Sequence, residues 1–131
     1  MPNNIKKILR ELKKGLVEIY GDQLKAVYLF GSFARGEGRL PDSDIDVMVV
    51  LEGEFIYREV EKRSIDFVAS LCLAHDVIII CHYVSASRYE ESKMPFMLNV
   101  RKDAVAIWSR LKFRFSSIER KTVIKRKGFT W

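Results

Sequence analysis

Cysteine, histidine and proline are scarce in this chain: two, two and three residues among 131. Cys72 and Cys81 do not have Cys-x-x-Cys spacing, so no disulfide framework is expected and both read as small apolar core residues. With only two histidines, a histidine general base is a poor expectation. His82 beside Cys81 lacks the further ligands and the spacing of a zinc site. No apolar run approaches the roughly 18 residues needed to span a bilayer, which argues against membrane association. The segment Met1–Lys7 has no apolar signal-peptide core, so the cytoplasm is the expected compartment. Internal repeats and low-complexity stretches are also absent.

What the chain does have is enough apolar residues, 48%, for one domain with a small core. It also has an uneven charge. Arg110 to Trp131 holds eight Lys/Arg against one Glu, while Met1 to Ser109 holds fifteen against sixteen Asp/Glu. The expected division is a folded domain over 1–109 and a basic tail over 110–131. A basic tail is ordinarily a solvated end. Phe113, Phe115, Phe129 and Trp131 among its cations would permit nucleic-acid contact by stacking, a less favoured reading.

Apolar positions at three- and four-residue spacing predict a helix from Ile5 to Tyr20, with Asn3 or Asn4 at its start and Gly21 at its end. Leu24–Phe30 and Asp46–Leu51 carry apolar residues on both faces and read as central strands. A second helical stripe runs from Tyr57 to Cys72, and Asp76–Val84 reads as a third strand. Ser85 or Ser87 can cap a short helix through Glu91, which Pro95 keeps from continuing. Phe96–Leu98 with Val100 suggests a further helix or turn, and Ala104–Trp108 a last strand. The class is α+β: a short mixed sheet with helices packed on it.

Between the first two strands lie Gly31-Ser32-Phe33-Ala34-Arg35-Gly36 and then Asp42-Ser43-Asp44-Ile45-Asp46. Residues two apart on a strand share a face, so Asp44 and Asp46 are aimed together. Such a pair repels itself unless a cation lies between its members. Mg²⁺ takes oxygen ligands of this kind, often one or two carboxylates plus substrate phosphates. Gly31 allows close backbone approach, and amides opening a helical turn hold anions. Gly38, by contrast, reads as a loop residue with room around it. A phosphate cradle beside a paired-carboxylate metal site is equipment for phosphoryl or nucleotidyl transfer. In isolation, Ser32 would be a helix N-cap, Arg35 either a phosphate contact or the partner of a loop acid, and Asp42 with Ser43 a turn.

At these residues the chain resembles the polymerase-beta-type nucleotidyltransferase superfamily. The wording Gly-Ser-x-Ala-Arg-Gly-Glu with Ser-Asp-Ile-Asp is similar to the minimal nucleotidyltransferases, small proteins often paired with a HEPN-domain partner. The spacer from Phe33 to Ser43 has eleven residues, one more than the commonest family form, and Leu40-Pro41 is where a loop absorbs it. The resemblance covers roughly the first 110 residues. It implies the nucleotidyltransferase fold, Asp44 and Asp46 as catalytic metal ligands for Mg²⁺, and Gly31, Ser32, Arg35 and Ser43 as contacts of the nucleotide. The superfamily usually has a third carboxylate on a neighbouring strand, and Asp76 is the candidate. Should the register set Ile80 or His82 beside the pair, Asp76 only opens its strand. The implied activity is transfer of AMP from ATP to a hydroxyl of a HEPN-domain toxin, with this chain as antitoxin. The alternative is a binding module that neutralises its partner by direct contact without turnover.

Overall fold

Ile5, Ile8, Leu9, Leu12, Leu16 and Tyr20 line one face of the first helix, α1 (Asn3–Tyr20). All six are buried in the computed structural model, which describes residues 3–40 and 42–110. Burying a Leu or Ile side chain in this way contributes about 1.5–3 kcal/mol, so this face holds α1 to the sheet. Gly21, at φ +54°, ends the helix in a short 3-10 turn (Gly21–Gln23). The remaining elements are β1 (Leu24–Phe30), β2 (Ile45–Leu51), α2 (Tyr57–His75), β3 (Ile79–Ser85), α3 (Ala86–Glu91), α4 (Pro95–Asp103) and β4 (Val105–Ser109).

The four strands form one mixed sheet in the order β3-β2-β1-β4. β1 pairs antiparallel with β2 and with β4, and β2 pairs parallel with β3. The expected α+β class is therefore the one adopted, with β1 and β2 central and apolar on both faces. One face, with Val27, Leu29, Val47, Val49 and Tyr83, packs against α1 and α2. The other, with Tyr28, Phe30, Met48, Val50 and Val84, packs against Tyr89 of α3 and Met97 and Val100 of α4.

Two contacts tie the helical layer together. Ser64 of α2 is wholly buried, and its hydroxyl links the Tyr20 hydroxyl (2.9 Å) to that of Tyr83 (2.6 Å). Tyr20 also donates to the Val60 carbonyl, so buried polar groups of α1, α2 and β3 satisfy one another. Gly15 of α1 lies against the Phe67 ring of α2 so closely that a Cβ there would fall 2.0 Å from a ring carbon.

Several boundaries differ from the sequence expectation. α2 runs on through His75, and β3 begins at Ile79 rather than Asp76. Pro95 opens α4 at its first turn, where a missing N–H costs nothing. Ser85 caps α3 by accepting from the Arg88 amide at 3.2 Å. Beyond β4, the Arg110 amide still bonds the Lys25 carbonyl at 2.9 Å. The rest of the expected tail, 111–131, lies outside the described residues. Among the described residues no helix is long and apolar enough to cross a membrane.

Candidate active site

β1 delivers the chain to Gly31, whose φ of +75° turns it sharply out of the sheet. The turn closes on its own carbonyls. Arg35 N–H donates to Gly31 O (3.2 Å), Gly36 N–H to Phe33 O (3.3 Å), and Glu37 and Gly38 N–H to Ser32 O (2.9 and 3.1 Å). The amides of Ser32, Phe33 and Ala34 precede the first of these donors, as first-turn amides of a helix do. Phe33 is buried beneath the turn and anchors it in the core. Its ring lies where a Cβ on Gly38 would fall, 2.4 Å from ring carbons, so Gly38 is closely packed and not in open loop as expected.

The chain returns through a loop that Ser43 closes. Its hydroxyl accepts from the Arg39 amide at 3.0 Å, and its own amide donates to the Arg39 carbonyl at 2.8 Å. Asp44 follows, exposed just ahead of β2, and Asp46 stands half-buried on the strand. Across the sheet Asp46 has Phe30 of β1 on one side and Ile80 of β3 on the other. Its carboxylate reaches over Gly31: a Cβ built there would stand 2.4 Å from Asp46 Oδ2. Two features of Gly31, its positive φ and its bare Cα, are thus both in use, and the second serves Asp46.

Burial pushes the Asp46 carboxyl above the ordinary carboxylate value. His82 pulls it back, the Asp44 charge pushes it further up, and Arg35 offsets part of that. His82, Phe30 and Phe96 form an aromatic wall on the same face, with ring centroids 5.5–6.0 Å apart. The period-two alternation of β3 already put His82 on the face of Ile80. What the sequence could not give was the cross-strand register that brings it near Asp46.

Arg35 is engaged by acids on both sides, at 2.9 Å by Asp103 at the end of α4 and at 3.3 Å by Glu37. Those hydrogen bonds raise its pKa, Asp103 first. Of the two readings open for Arg35, the structure displays the pairing with acids, and it adds Asp103 from 68 residues away.

Asp76 is not brought to the pair. It caps the C-terminus of α2 in a left-handed conformation, φ +51°, its amide bonded to the Cys72 carbonyl. In the parallel register Ile80 is the β3 partner of Asp46. Asp76 lies four residues earlier, ahead of the strand and in the cap of α2. Among the described residues no three His, Cys, Asp or Glu side chains gather as a metal cluster. The third-carboxylate expectation is corrected on this point. Asp tolerates the left-handed region better than most residues, and here that tolerance ends a helix.

The donor set that remains, Asp44 and Asp46, could hold a hard dication in the manner of sites that rely on one or two carboxylates plus substrate phosphates. The mutual repulsion of the pair fits a cation between its members better than it fits an empty surface.

Residues 9–128 match the nucleotidyltransferase domain family. Two proteins of Methanocaldococcus jannaschii, both provisionally named protein adenylyltransferases, are similar to this chain. One is 35% identical over 72 residues, 55% of this chain and 71% of its own length. The other is 34% identical over 76 residues, 58% of this chain and 69% of its own. A crystal structure of a toxin–antitoxin with AMP-PNP shares the fold at TM-score 0.54 and 17% identity, covering 98% of this chain and 86% of that one. A Sulfolobus solfataricus protein, provisionally described as a nucleotidyltransferase, aligns at TM-score 0.52 and 26% identity over 84% of this chain and 90% of its own.

Proposed function

On the premise that the chain belongs to the nucleotidyltransferase domain family and is a nucleotidyltransferase, we propose that it moves AMP from ATP, with Mg²⁺, to a hydroxyl of a HEPN-domain toxin for which it serves as antitoxin. The observation that carries this reading is the seat of Asp46 over the bare Cα of Gly31, with Asp44 beside it at the mouth of β2. The names of the M. jannaschii relatives support protein as acceptor. Solved structures of the same fold, the toxin–antitoxin with AMP-PNP and a MntA–HepT toxin–antitoxin, support the donor and the kind of partner.

In this reading Asp44 and Asp46 hold the cation, and the Gly31–Ala34 turn lies under the triphosphate. Bound Mg²⁺ supplies charge neutralisation at the phosphates and a more acidic acceptor hydroxyl. The hydroxyl oxygen bonds the α-phosphorus, the bond from that phosphorus to the bridging oxygen breaks, and pyrophosphate leaves with the electron pair. The hydroxyl proton passes to the carboxylate pair. Phe33 holds the turn from beneath, Ser43 fixes the loop that presents Asp44, and Arg35 ties the turn to α4.

The test is incubation of the protein with a HEPN-domain protein and ATP labelled at the α-phosphate or at the γ-phosphate. The α-label should appear on the partner, should depend on Mg²⁺, and should vanish with Asp44→Asn/Asp46→Asn. The γ-label should not transfer. Transfer that survives the double substitution would sink the site as described.

A further inference from the structure

On the side of the sheet away from Asp44 and Asp46, α1 and β4 enclose a groove of about 440 Å³ lined by Arg10, Lys13, Lys14, Val17, Glu18 and Trp108. Arg110, the residue after β4, lays its guanidinium over the Trp108 ring at 4.7 Å from the centroid and reaches Asp22 at 3.3 Å. Arg10 and Lys14 are one helical turn apart, both exposed, so two cations border an aromatic floor. Nothing in nucleotidyl transfer at Asp44 and Asp46 uses this surface. It lies on the α1 side, while the acids share the face of Phe30, Met48 and α4.

We propose that this groove binds single-stranded RNA, independently of the transfer site. Bases would stack on the Trp108–Arg110 pair, and phosphates would lie along Arg10, Lys13 and Lys14. Cations beside an aromatic ring that carries a guanidinium are the elements that hold single strands without reading sequence. Charge complementarity points the same way: three cations line the groove against the single carboxylate of Glu18. An acidic protein segment would satisfy the cations but would leave the indole without a specific role, which is why RNA is favoured.

The full-length protein carrying Trp131→Phe has Trp108 as its one tryptophan, so the emission of Trp108 reports on the groove itself. Oligo(A) of roughly ten nucleotides should quench it saturably. With three cations engaged, affinity should fall about 20-fold between about 50 and about 200 mM salt. Arg10→Glu/Lys14→Glu, both at exposed positions, should abolish the quench while leaving the melting temperature and ATP binding unchanged. Saturating ATP should not displace the RNA. The proposal is overturned by no quench in the parent protein, by a quench that survives the double charge reversal, or by displacement with ATP. It is equally overturned if polyglutamate quenches with the same affinity, which would assign the groove to an acidic protein segment.

Discussion

Replacing Gly31 by Ala separates the two uses of that residue. A non-glycine residue at φ +75° costs about 1–2 kcal/mol in backbone strain. For a domain of this size that lowers the melting temperature by roughly 4–8 °C. The new Cβ would also stand 2.4 Å from Asp46 Oδ2, where ordinary contact begins at 3.4 Å. The carboxylate must therefore retreat by about 1 Å. That retreat costs little stability, since a side-chain terminus can rotate for about 0.5–1.5 kcal/mol. It should cost far more function, because displacement of a reacting group by about 1 Å lowers rates on the order of 100-fold.

The matched control is Gly53→Ala. Gly53 has φ +80°, open space around it, and a place beyond the far end of β2 from Asp46. Gly38 is unsuitable, because Phe33 fills the space its Cβ would need. Both alanine variants should melt at similar temperatures, within the shift that about 1 kcal/mol produces, while only Gly31→Ala loses AMP transfer and Mg²⁺-dependent ATP binding. Differential scanning fluorimetry and single-turnover transfer of α-labelled phosphate measure the two quantities. Equal transfer by the two variants would refute the reasoning, since the carboxylate would then not depend on the bare Cα.

Three further outcomes follow from the same geometry. Asp46 has a raised pKa in the folded protein, so its ionisation opposes folding. The penalty is absent below the ordinary carboxylate value, near about pH 4, and is complete once the pH has passed the raised one. Asp46→Asn should therefore raise stability at pH 7, by less than about 1 kcal/mol because the group is partly wet, and should give no gain in acid; urea titrations at the two pH values check this. Ser64→Ala strips the Tyr83 hydroxyl of its buried partner and should cost about 1–3 kcal/mol, whereas exposed Ser70→Ala should cost almost nothing, both read by urea midpoint. Asp76→Gly should hold or raise stability by up to about 1 kcal/mol, since glycine is at ease in the left-handed cap, and should leave AMP transfer intact. Loss of transfer in that variant would return Asp76 to the chemistry.

The legible parts of the chain are those whose cause is local. The α1 stripe from Ile5 to Tyr20 is buried where its period predicts, and β1 and β2 carry apolar residues on both faces because both are central. The spacing of Asp44 and Asp46 is a local expectation, and the structure sets Asp46 against Gly31. The illegible parts depend on distant partners. Val77-Ile78-Ile79-Ile80 reads as a strand from its first residue, yet α2 extends to His75 and Asp76 takes a left-handed cap that no β propensity signals. Arg35 finds Asp103 across 68 residues, and no periodicity reports that. Whether Ile80 or an acid lies beside Asp46 is a matter of register, which two strands decide jointly.

That register bears on what the domain can be. A protein that acted only by covering a partner's surface would gain from a neutral residue at position 46, because burial and the Asp44 charge both work against the carboxylate there. It would also have no need of a glycine at φ +75° kept clear beneath that carboxylate. The arrangement sacrifices stability at one point, as sites shaped for chemistry commonly do. With Ile80 as the β3 partner of Asp46 and no cluster of three acids among the described residues, two carboxylates cannot fill the coordination shell of a hard dication by themselves. The remaining oxygens have to come from the phosphates of the substrate and from water. On the proposed reading, cation and nucleotide would then be held together or hardly at all, and the transfer site would be assembled by its own substrate.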